Sequence, residues 1–371
     1  ASCDAGRGGS IPRRSGPLSA ANPPPSRGVV FLTGGTGLVG SHVAEALRRQ
    51  GRPVRALHRG GSPLDHLRNV ECELVELSLP GGERALREAM AGCSALVHAA
   101  ALIYTDLPWP RVRAVNVQGT GTVFRAAASE GVATAVFVSS VAAYGDPYDM
   151  VDEDAPLDRP LRSWERYARS KREGERVVQE IATRTGMSVT VLRPCAIYGE
   201  RDRLFTPKIA TALRLPVHPM LGGGRTAMAA VYAGNVASAV LAGLGGGRPV
   251  GARAYNVTED YGLSQREFYA GLAAELRIPF RPVSIPRSIV LGGAALGEAL
   301  GGRIPGAEEL PLRRAAHLAV RPNPYRSRRI REELGWAPTA SCEEALRRTA
   351  QWIAGTWEAR RNRPAFRTQS P

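Results

Sequence analysis

The stretch that decides the fold runs from residue 28 to residue 50 and reads GVVFLTGGTGLVGSHVAEALRRQ. It begins with a short apolar run rich in β-branched residues, Gly28 to Thr33, which is typical of a buried strand. A cluster of glycines follows, and the segment from Leu38 to Gln50 then shows apolar residues at helical spacing. The sequence therefore predicts a strand, a tight turn and a helix in direct succession.

The predicted turn carries glycines at positions 34, 37 and 40. A tight turn whose backbone approaches a ligand closely needs residues without a side chain, a condition that only glycine meets. The first amides of the following helix favour an anion at the same place. We therefore expect the pyrophosphate of a dinucleotide to bind here, contacted by Gly34, Thr36, Gly37, Leu38, Val39 and Gly40.

Strands and helices alternate through the first 200 residues, which indicates a parallel sheet with helices on both faces. The expected fold class is α/β, a Rossmann-type doubly wound parallel sheet. After residue 200 the pattern loosens, which predicts a smaller and irregular C-terminal region that binds the substrate. The expected organisation is a disordered leader (1–27), a dinucleotide-binding core (28–200), remaining core elements with the substrate-binding region (201–357) and a disordered basic tail (358–371).

The formal net charge is +15, from 49 basic and 34 acidic residues. The two expected tails hold six of these charges, and no basic stripe or nucleic-acid motif accompanies the rest, so we expect no nucleic-acid partner. The five cysteines lie far apart and never form a CxxC pair. Their spacing argues against a disulfide framework or a metal site, and it favours a reducing compartment, the cytoplasm.

The end of the second predicted strand bears on the choice of dinucleotide. An NAD site usually places an acidic residue here to hold the ribose hydroxyls. This sequence has His58 and Arg59 instead. Because an arginine can pair with a 2′-phosphate, the sequence predicts NADP, with Arg59 as a ligand, rather than NAD.

A candidate proton-transfer group follows in the predicted helix from residue 164 to residue 184. Tyr167 and Lys171 stand four residues apart, so they project from the same helix face. A neighbouring ammonium lowers the pKa of a phenol, which can then act as acid or base toward a carbonyl or an alcohol. Ser140 follows the fifth predicted strand and brings a hydroxyl to the same edge of the sheet.

Together these motifs resemble those of an extended short-chain dehydrogenase/reductase. Val231 to Ala237 is similar to the 3β-hydroxysteroid dehydrogenase/isomerase branch of that superfamily. The resemblance covers residues 29 to about 355. It rests on the glycine turn, Tyr167-x-x-x-Lys171, Ser140 before Tyr144-Gly145, Val97-His98-Ala99-Ala100, Asn116 to Thr120, Asp152 to Pro156 and Leu192-Arg193-Pro194.

The resemblance implies a role for each matching residue. Tyr167 would be the general acid/base, Lys171 would lower its pKa and hold the nicotinamide ribose, and Ser140 would orient the substrate oxygen. Asn116 would support a proton relay. Further cofactor contacts are implied for Ala99, Ala100, Pro194 and Ile197, and no metal is expected.

The expected activity is therefore interconversion of a ketone and a secondary alcohol on a small hydrophobic substrate, steroid-like or β-keto. Two alternatives stay open: a nucleotide-sugar epimerase or reductase of the same superfamily, and a non-catalytic NADP-binding scaffold. Val141-Ala142, which follow Ser140 where dehydratases of the superfamily carry acidic residues, disfavour dehydration. A homodimer is possible, and membrane contact is expected at most peripherally, through the apolar patch from Ile289 to Leu296.

Overall fold

In a computed structural model, the described residues are 28–103, 107–145, 150–163, 165–245, 249–258, 261–299 and 323–361. The expected leader lies outside them. The last helix runs to Arg361, past the boundary at 358 that we expected for the basic tail, and the rest of that tail also lies outside the described residues.

Eleven strands are present in the described part of the chain. Seven of them form one parallel sheet in the order β10-β6-β5-β4-β1-β2-β3. The strands are β1 (Val29–Thr33), β2 (Val54–His58), β3 (Glu73–Glu76), β4 (Cys93–His98), β5 (Thr134–Val138), β6 (Ser188–Pro194), β7 (Ala196–Tyr198), β8 (His218–Leu221), β9 (Ala230–Tyr232), β10 (Gly251–Val257) and β11 (Pro282–Ile285).

Helices connect the strands and cover both faces of the sheet, which confirms the expected doubly wound fold. They are α1 (Leu38–Arg49), α2 (Asp65–Asn69), α3 (Glu83–Met90), α4 (Trp109–Arg113), α5 (Thr120–Ser129), α6 (Arg166–Thr185), α7 (Thr206–Ala212), α8 (Ala233–Gly243), α9 (Gln265–Glu275), α10 (Arg287–Ala299), α11 (Arg328–Leu334) and α12 (Cys342–Arg361).

The central strands β1, β4 and β5 are largely buried on both faces, because each face of the sheet packs against helices. In β1, Val30 and Leu32 join the core cluster that includes α1 and α8, whereas Phe31 points to the opposite cluster with α3 and α5. This explains why the first strand reads as a continuous apolar run rather than as an alternating pattern.

The sheet order reverses at β1. From β1 the chain proceeds outward to β2 and β3 on one side, then returns to β4 on the other side and continues to β5 and β6. A crevice opens at the carboxyl edge of such a sheet, between β1 and β4, where α/β proteins bind their ligands.

One predicted element differs in the structure. The sequence predicts an uninterrupted helix from residue 111 to residue 130, but a π-helical turn from Ala114 to Gly119 separates α4 from α5. The wider turn places Asn116 inside the protein, where its side chain binds groups outside its own helix. Single π turns of this kind are often found at functional sites.

The smaller C-terminal region is built from two short parallel ribbons, β7–β9 and β8–β11, together with α7, α9 and α12. Its own apolar cluster centres on Tyr198 and Phe268, whose ring centroids lie 4.8 Å apart at nearly right angles. Strand β10, from this later part of the chain, pairs with β6 and completes the main sheet.

Candidate active site

The predicted site residues gather at the carboxyl edge of the sheet. The glycine turn follows β1, Arg59 follows β2, Ala99 follows β4 and Ser140 follows shortly after β5. Pro194 is the last residue of β6, and partly buried Ile197 lies in β7 just beyond it. Because the strands of the main sheet are parallel, their carboxyl ends meet at one edge. The sequence alone does not give the distances between the residues at that edge.

The turn after β1 fits the pyrophosphate expected there. Gly34 has a positive φ of +73°, and a Cβ atom on it would lie 2.7 Å from the backbone nitrogen of Ala100. A Cβ on Gly40 would lie 2.1 Å from the carbonyl oxygen of Gly34. No side chain caps the first turn of α1, and no acidic residue lies in that turn, so its positive end is available to an anion.

Arg59 lies directly after β2 and is exposed. No carboxylate among the described residues pairs with its guanidinium, unlike many other arginines of this chain. An arginine without a described carboxylate partner at the end of the second strand can bind a phosphate without first breaking such an ion pair.

Two consecutive serines, Ser139 and Ser140, follow β5 and make different contacts. The hydroxyl of buried Ser139 donates to Glu175 behind the sheet. The hydroxyl oxygen of Ser140 instead accepts a hydrogen bond from the backbone nitrogen of Ala142 at 3.1 Å. Since this contact uses a lone pair and not the hydroxyl hydrogen, Ser140 can donate that hydrogen to a substrate oxygen.

Tyr167 and Lys171 both lie on the first turns of α6, as their spacing predicts. Tyr167 is half-buried, and Lys171 is almost fully buried, with 4% exposure. The Lys171 ammonium donates to the carbonyl oxygen of Val138 at 2.8 Å and lies 5.8 Å from the centre of the Tyr167 ring. The ammonium is therefore held between the end of β5 and the tyrosine.

Burial lowers the pKa of Lys171 to about 8, and the carboxylate of Glu175 opposes that shift. Glu175 is in turn fixed by Arg193, whose Nη2 lies 2.6 Å from Oε2 and whose Nε lies 3.0 Å from Oε1. Arg193 also donates to the hydroxyl of Tyr144 at 2.6 Å. This buried network supports Lys171 and Ser139 from behind the crevice.

The side-chain amide of Asn116 forms hydrogen bonds to Leu102 and Ser170. Its Oδ1 accepts from the backbone nitrogen of Leu102 at 2.7 Å, and its Nδ2 donates to the carbonyl oxygen of Leu102 at 2.9 Å. The same Nδ2 lies 2.9 Å from the hydroxyl oxygen of Ser170, which donates to the carbonyl oxygen of Tyr167. The amide thus ties the loop after β4 to the turn that carries Tyr167, and its role in a proton relay stays a prediction.

A second buried chain of hydrogen bonds reaches Asn116 from Thr33, the last residue of β1. The hydroxyl of Thr120 donates to the carbonyl oxygen of Asn116 at 2.8 Å, so toward His98 Nε2, 2.9 Å away, it acts as acceptor. His98 Nδ1 is then the acceptor for the hydroxyl of Thr33 at 2.7 Å. Thr33 Oγ1 also accepts from the backbone nitrogen of Ala100 at 3.3 Å.

His98 is neutral in this chain, since complete burial and the nearby charge of Lys171 lower its pKa to about 3. The neutral ring keeps one donor and one acceptor nitrogen, which the directed chain requires. Thr33, His98, Thr120, Asn116 and Ser170 therefore connect the end of β1 with Tyr167 through hydrogen bonds.

Sequence reasoning did not identify most of this supporting set. Glu175 had a signal, because it stands four residues after Lys171 and eight after Tyr167 and so shares their helix face. Lys171 itself stands out by composition, because it is one of only two lysines, with Lys208, among 49 basic residues. The partners Thr33, Thr120 and Arg193 had no such local signal, since they join the site from other elements.

Comparisons with known proteins identify the family of this chain. The model of the family described as "NAD dependent epimerase/dehydratase family" matches residues 30–258. A curated relative from Stigmatella aurantiaca is 32% identical over 319 residues, which cover 85% of this chain and 94% of the relative. It is named 4-hydroxy-2-methyl-3-oxo-4-farnesyl-3,4-dihydroquinoline-1-oxide ketoreductase.

A second relative, 3beta-hydroxysteroid-dehydrogenase/decarboxylase isoform 2 from Arabidopsis thaliana, is 26% identical over 86% of this chain and 60% of its own length. Among solved structures, UDP-glucose 4-epimerase from Thermotoga maritima has a TM-score of 0.67 at 21% identity, covering 89% of this chain and 99% of that one. This last likeness concerns the fold. The chain belongs to the NAD dependent epimerase/dehydratase family and is an enzyme of the extended short-chain dehydrogenase/reductase type.

Proposed function

We propose that the protein is an NADPH-dependent ketoreductase that converts a ketone on a hydrophobic substrate into a secondary alcohol. The observation that carries the proposal is the position of Lys171. Its buried ammonium is held by the carbonyl oxygen of Val138, 5.8 Å from the Tyr167 ring and next to the strand end that presents Ser140. A phenol beside a fixed positive charge can release and recover a proton, as reduction of a carbonyl requires.

Each side chain has one task in this reaction. A nicotinamide dinucleotide held at the glycine turn after β1 would supply the hydride for the carbonyl carbon. The Ser140 hydroxyl donates a hydrogen bond to the carbonyl oxygen, on which negative charge develops. Tyr167 delivers a proton to that oxygen, and Lys171 stabilises the phenolate that remains. The protein contributes placement and charge and forms no covalent bond to the substrate.

The preference for NADPH is supported by Arg59. Its guanidinium is exposed directly after β2, and the residues at the end of that strand, His58 and Arg59, include no carboxylate that could hold the ribose hydroxyls. A 2′-phosphate would gain a charged partner there, whereas NADH would gain none.

The hydrophobic substrate class is supported by the loops at the carboxyl edge. Ile103 and Leu107 follow β4, Met150 follows β5, and Leu204 follows β7, and each is at least 39% exposed. Large apolar side chains that line a ligand site favour apolar ligands. The ketoreductase from Stigmatella, whose name includes a farnesyl group, supports the same substrate class and the same reaction.

A nucleotide-sugar epimerase of the same family is the alternative that the first experiment must separate. We would follow nicotinamide oxidation by the purified protein with 3-ketosteroids, β-keto acids and prenylated cyclic ketones, using NADPH and NADH in parallel. UDP-sugars would be assayed with NAD. Turnover of an apolar ketone with NADPH is expected, whereas activity restricted to a nucleotide sugar with NAD would contradict the proposal.

A matched pair of variants assigns the activity to this site. Tyr167→Phe removes one hydroxyl and is expected to reduce turnover at least 100-fold while NADPH still binds. Tyr269→Phe removes a hydroxyl from α9 near Phe268 and should keep wild-type turnover. Equal activity of Tyr167→Phe and the wild type would show that the chemistry lies elsewhere.

A further inference from the structure

The ribbon β8–β11 and the helix α10 expose large apolar side chains that the proposed reaction does not use. Leu215 and Val217 precede β8, Val283 lies in β11, and Ile289 and Leu296 lie on α10. Their exposed fractions range from 46% to 63%. Single exposed apolar residues are ordinary, but five within two short segments call for an explanation.

The pleat of the ribbon separates an inner from an outer face. His218 and Met220 of β8 are buried, whereas the alternating Val217 and Pro219 are exposed. Val283 is the register partner of Pro219 and is exposed as well. The outer face of this ribbon is therefore apolar.

Helix α10 begins two residues after β11, so its exposed residues continue from the ribbon along the chain. Ile289 and Leu296 are separated by seven residues, or two helical turns, and they lie on the same helix face. In the described part of the chain, no helix combines the length and the apolar character needed to cross a bilayer. Helix α10 would thus lie along a surface rather than span it.

The same two segments are basic and lack acidic residues. Residues 205–225 and 276–297 hold six basic residues and no aspartate or glutamate. Five of them have side chains that the structure describes, all exposed, and none of these five forms an ion pair with a described carboxylate: Lys208, Arg214, Arg225, Arg277 and Arg281. A surface that combines apolar side chains with cations that lack a described carboxylate partner matches the boundary between anionic headgroups and acyl chains.

We propose that this basic–apolar face, formed by residues 205–225 and 276–297, docks on the surface of an anionic lipid bilayer. A second copy of the chain is disfavoured as the occupant, because an isologous contact would bring two acid-free basic surfaces together. The inference does not depend on the proposed reaction. A soluble substrate can test the reaction without lipid, and vesicles can test docking without substrate.

The test is flotation of the full chain with vesicles of phosphatidylcholine alone and with 30 mole per cent phosphatidylglycerol added, a lipid content chosen on the order of that of anionic membranes. We expect binding only to the anionic vesicles, and weaker binding as salt increases. Two variants probe the two parts of the face. Ile289→Asn with Leu296→Asn removes apolar anchors, and Lys208→Gln, Arg277→Gln and Arg281→Gln together remove three cations.

The size of each effect follows from the contacts removed. Each cation near an anionic surface contributes about 5-fold to binding, so the triple variant should bind about 100-fold more weakly. Loss of the two apolar anchors should weaken binding by at least about 10-fold. All variants keep the chain's basic termini, and unchanged NADPH binding shows that they remain folded.

Matched controls separate docking from simple attraction by a chain of net charge +15. Arg68→Gln, Arg84→Gln and Arg184→Gln remove three exposed cations elsewhere, and Val250→Asn removes an exposed apolar residue before β10. Vesicle binding that survives these changes supports the proposal. The proposal is overturned if the wild type does not float with anionic vesicles, or if the control variants lose as much binding as the face variants. It is also overturned if the chain binds no lipid and instead forms a dimer that Ile289→Asn with Leu296→Asn dissociates.

Discussion

Replacing Lys171 by methionine is expected to stabilise the fold while it abolishes reduction. Burial lowers the pKa of Lys171 from 10.5 to about 8, so the folded state at pH 7 contains a charge that is more stable in the unfolded chain. This difference corresponds to about 3 kcal/mol, and the hydrogen bond to Val138 that methionine loses offsets about 1 kcal/mol. We therefore expect a gain of about 2 kcal/mol in the free energy of unfolding, with turnover reduced at least 100-fold.

The dependence on pH identifies the cause of this gain. The unfolded chain keeps the lysine proton up to about pH 10.5, whereas the folded protein releases it near pH 8. Between these values the unfolded state binds more protons, so the wild type becomes more stable as pH rises. The advantage of Lys171→Met should therefore narrow by about 2 kcal/mol between pH 7 and pH 10.

Guanidinium chloride unfolding at four pH values from 7 to 10 measures both quantities. Lys208→Met is the matched control, because Lys208 is the other lysine of the chain and is exposed on α7. It should change the stability by less than about 0.5 kcal/mol at every pH. The reasoning is refuted if Lys171→Met is less stable than the wild type at pH 7, or if its advantage stays constant up to pH 10.

Three further predictions concern the network and the cofactor. Thr120→Val keeps the side-chain shape but removes the hydroxyl between His98 and Asn116, so kcat should fall about 10-fold. Thr120→Ser keeps the hydroxyl, and its kcat should stay near that of the wild type. If steady-state kinetics give the reverse order of the two variants, Thr120 has a packing role. Burial lowers the pKa of His98 from 6.5 to about 3, so between these pH values the unfolded chain binds a proton on His98 and the folded protein does not. The free energy of unfolding should therefore fall by roughly 1 kcal/mol for each pH unit below 6.5. Urea unfolding between pH 4 and pH 7 tests this, and a His98→Gln variant with an equally steep decline would exclude His98 as the cause. Arg59→Gln should raise the Kd of NADPH about 10-fold and leave that of NADH unchanged in fluorescence titrations, whereas a parallel loss for both nucleotides would show that Arg59 does not contact the 2′-phosphate.

Local patterns in the chain were sufficient to predict the central architecture. The apolar run to Thr33, the glycine cluster and the helix from Leu38 follow directly from residue spacing, and β1, its turn and α1 lie where that spacing predicts. The four-residue interval between Tyr167 and Lys171 likewise places both on one face of α6. These features depend on residues that are close to each other in the sequence, within about two helical turns, so the sequence is enough to predict them.

The π turn at Asn116 and the ribbon β8–β11 were not predicted. The π turn depends on hydrogen bonds from Asn116 to Leu102 and Ser170, which belong to other elements. The ribbon pairs Pro282 with His218, more than 60 residues earlier, and each strand has only four residues. Such short strands have little periodicity of their own, so their pairing is decided by the path of the chain around them.

Periodicity and short spacing are local properties, so the chain's residue pattern was enough to predict the α/β class, the glycine turn after β1 and the candidate acid–base residues. The surroundings of those candidate residues depend on contacts between distant segments, which form only in the folded protein. The tertiary structure brought Lys171 to the carbonyl oxygen of Val138, and it placed neutral His98 between Thr33 and Thr120. The pKa of a buried group depends on every element packed around it, and those elements come together only when the chain has folded.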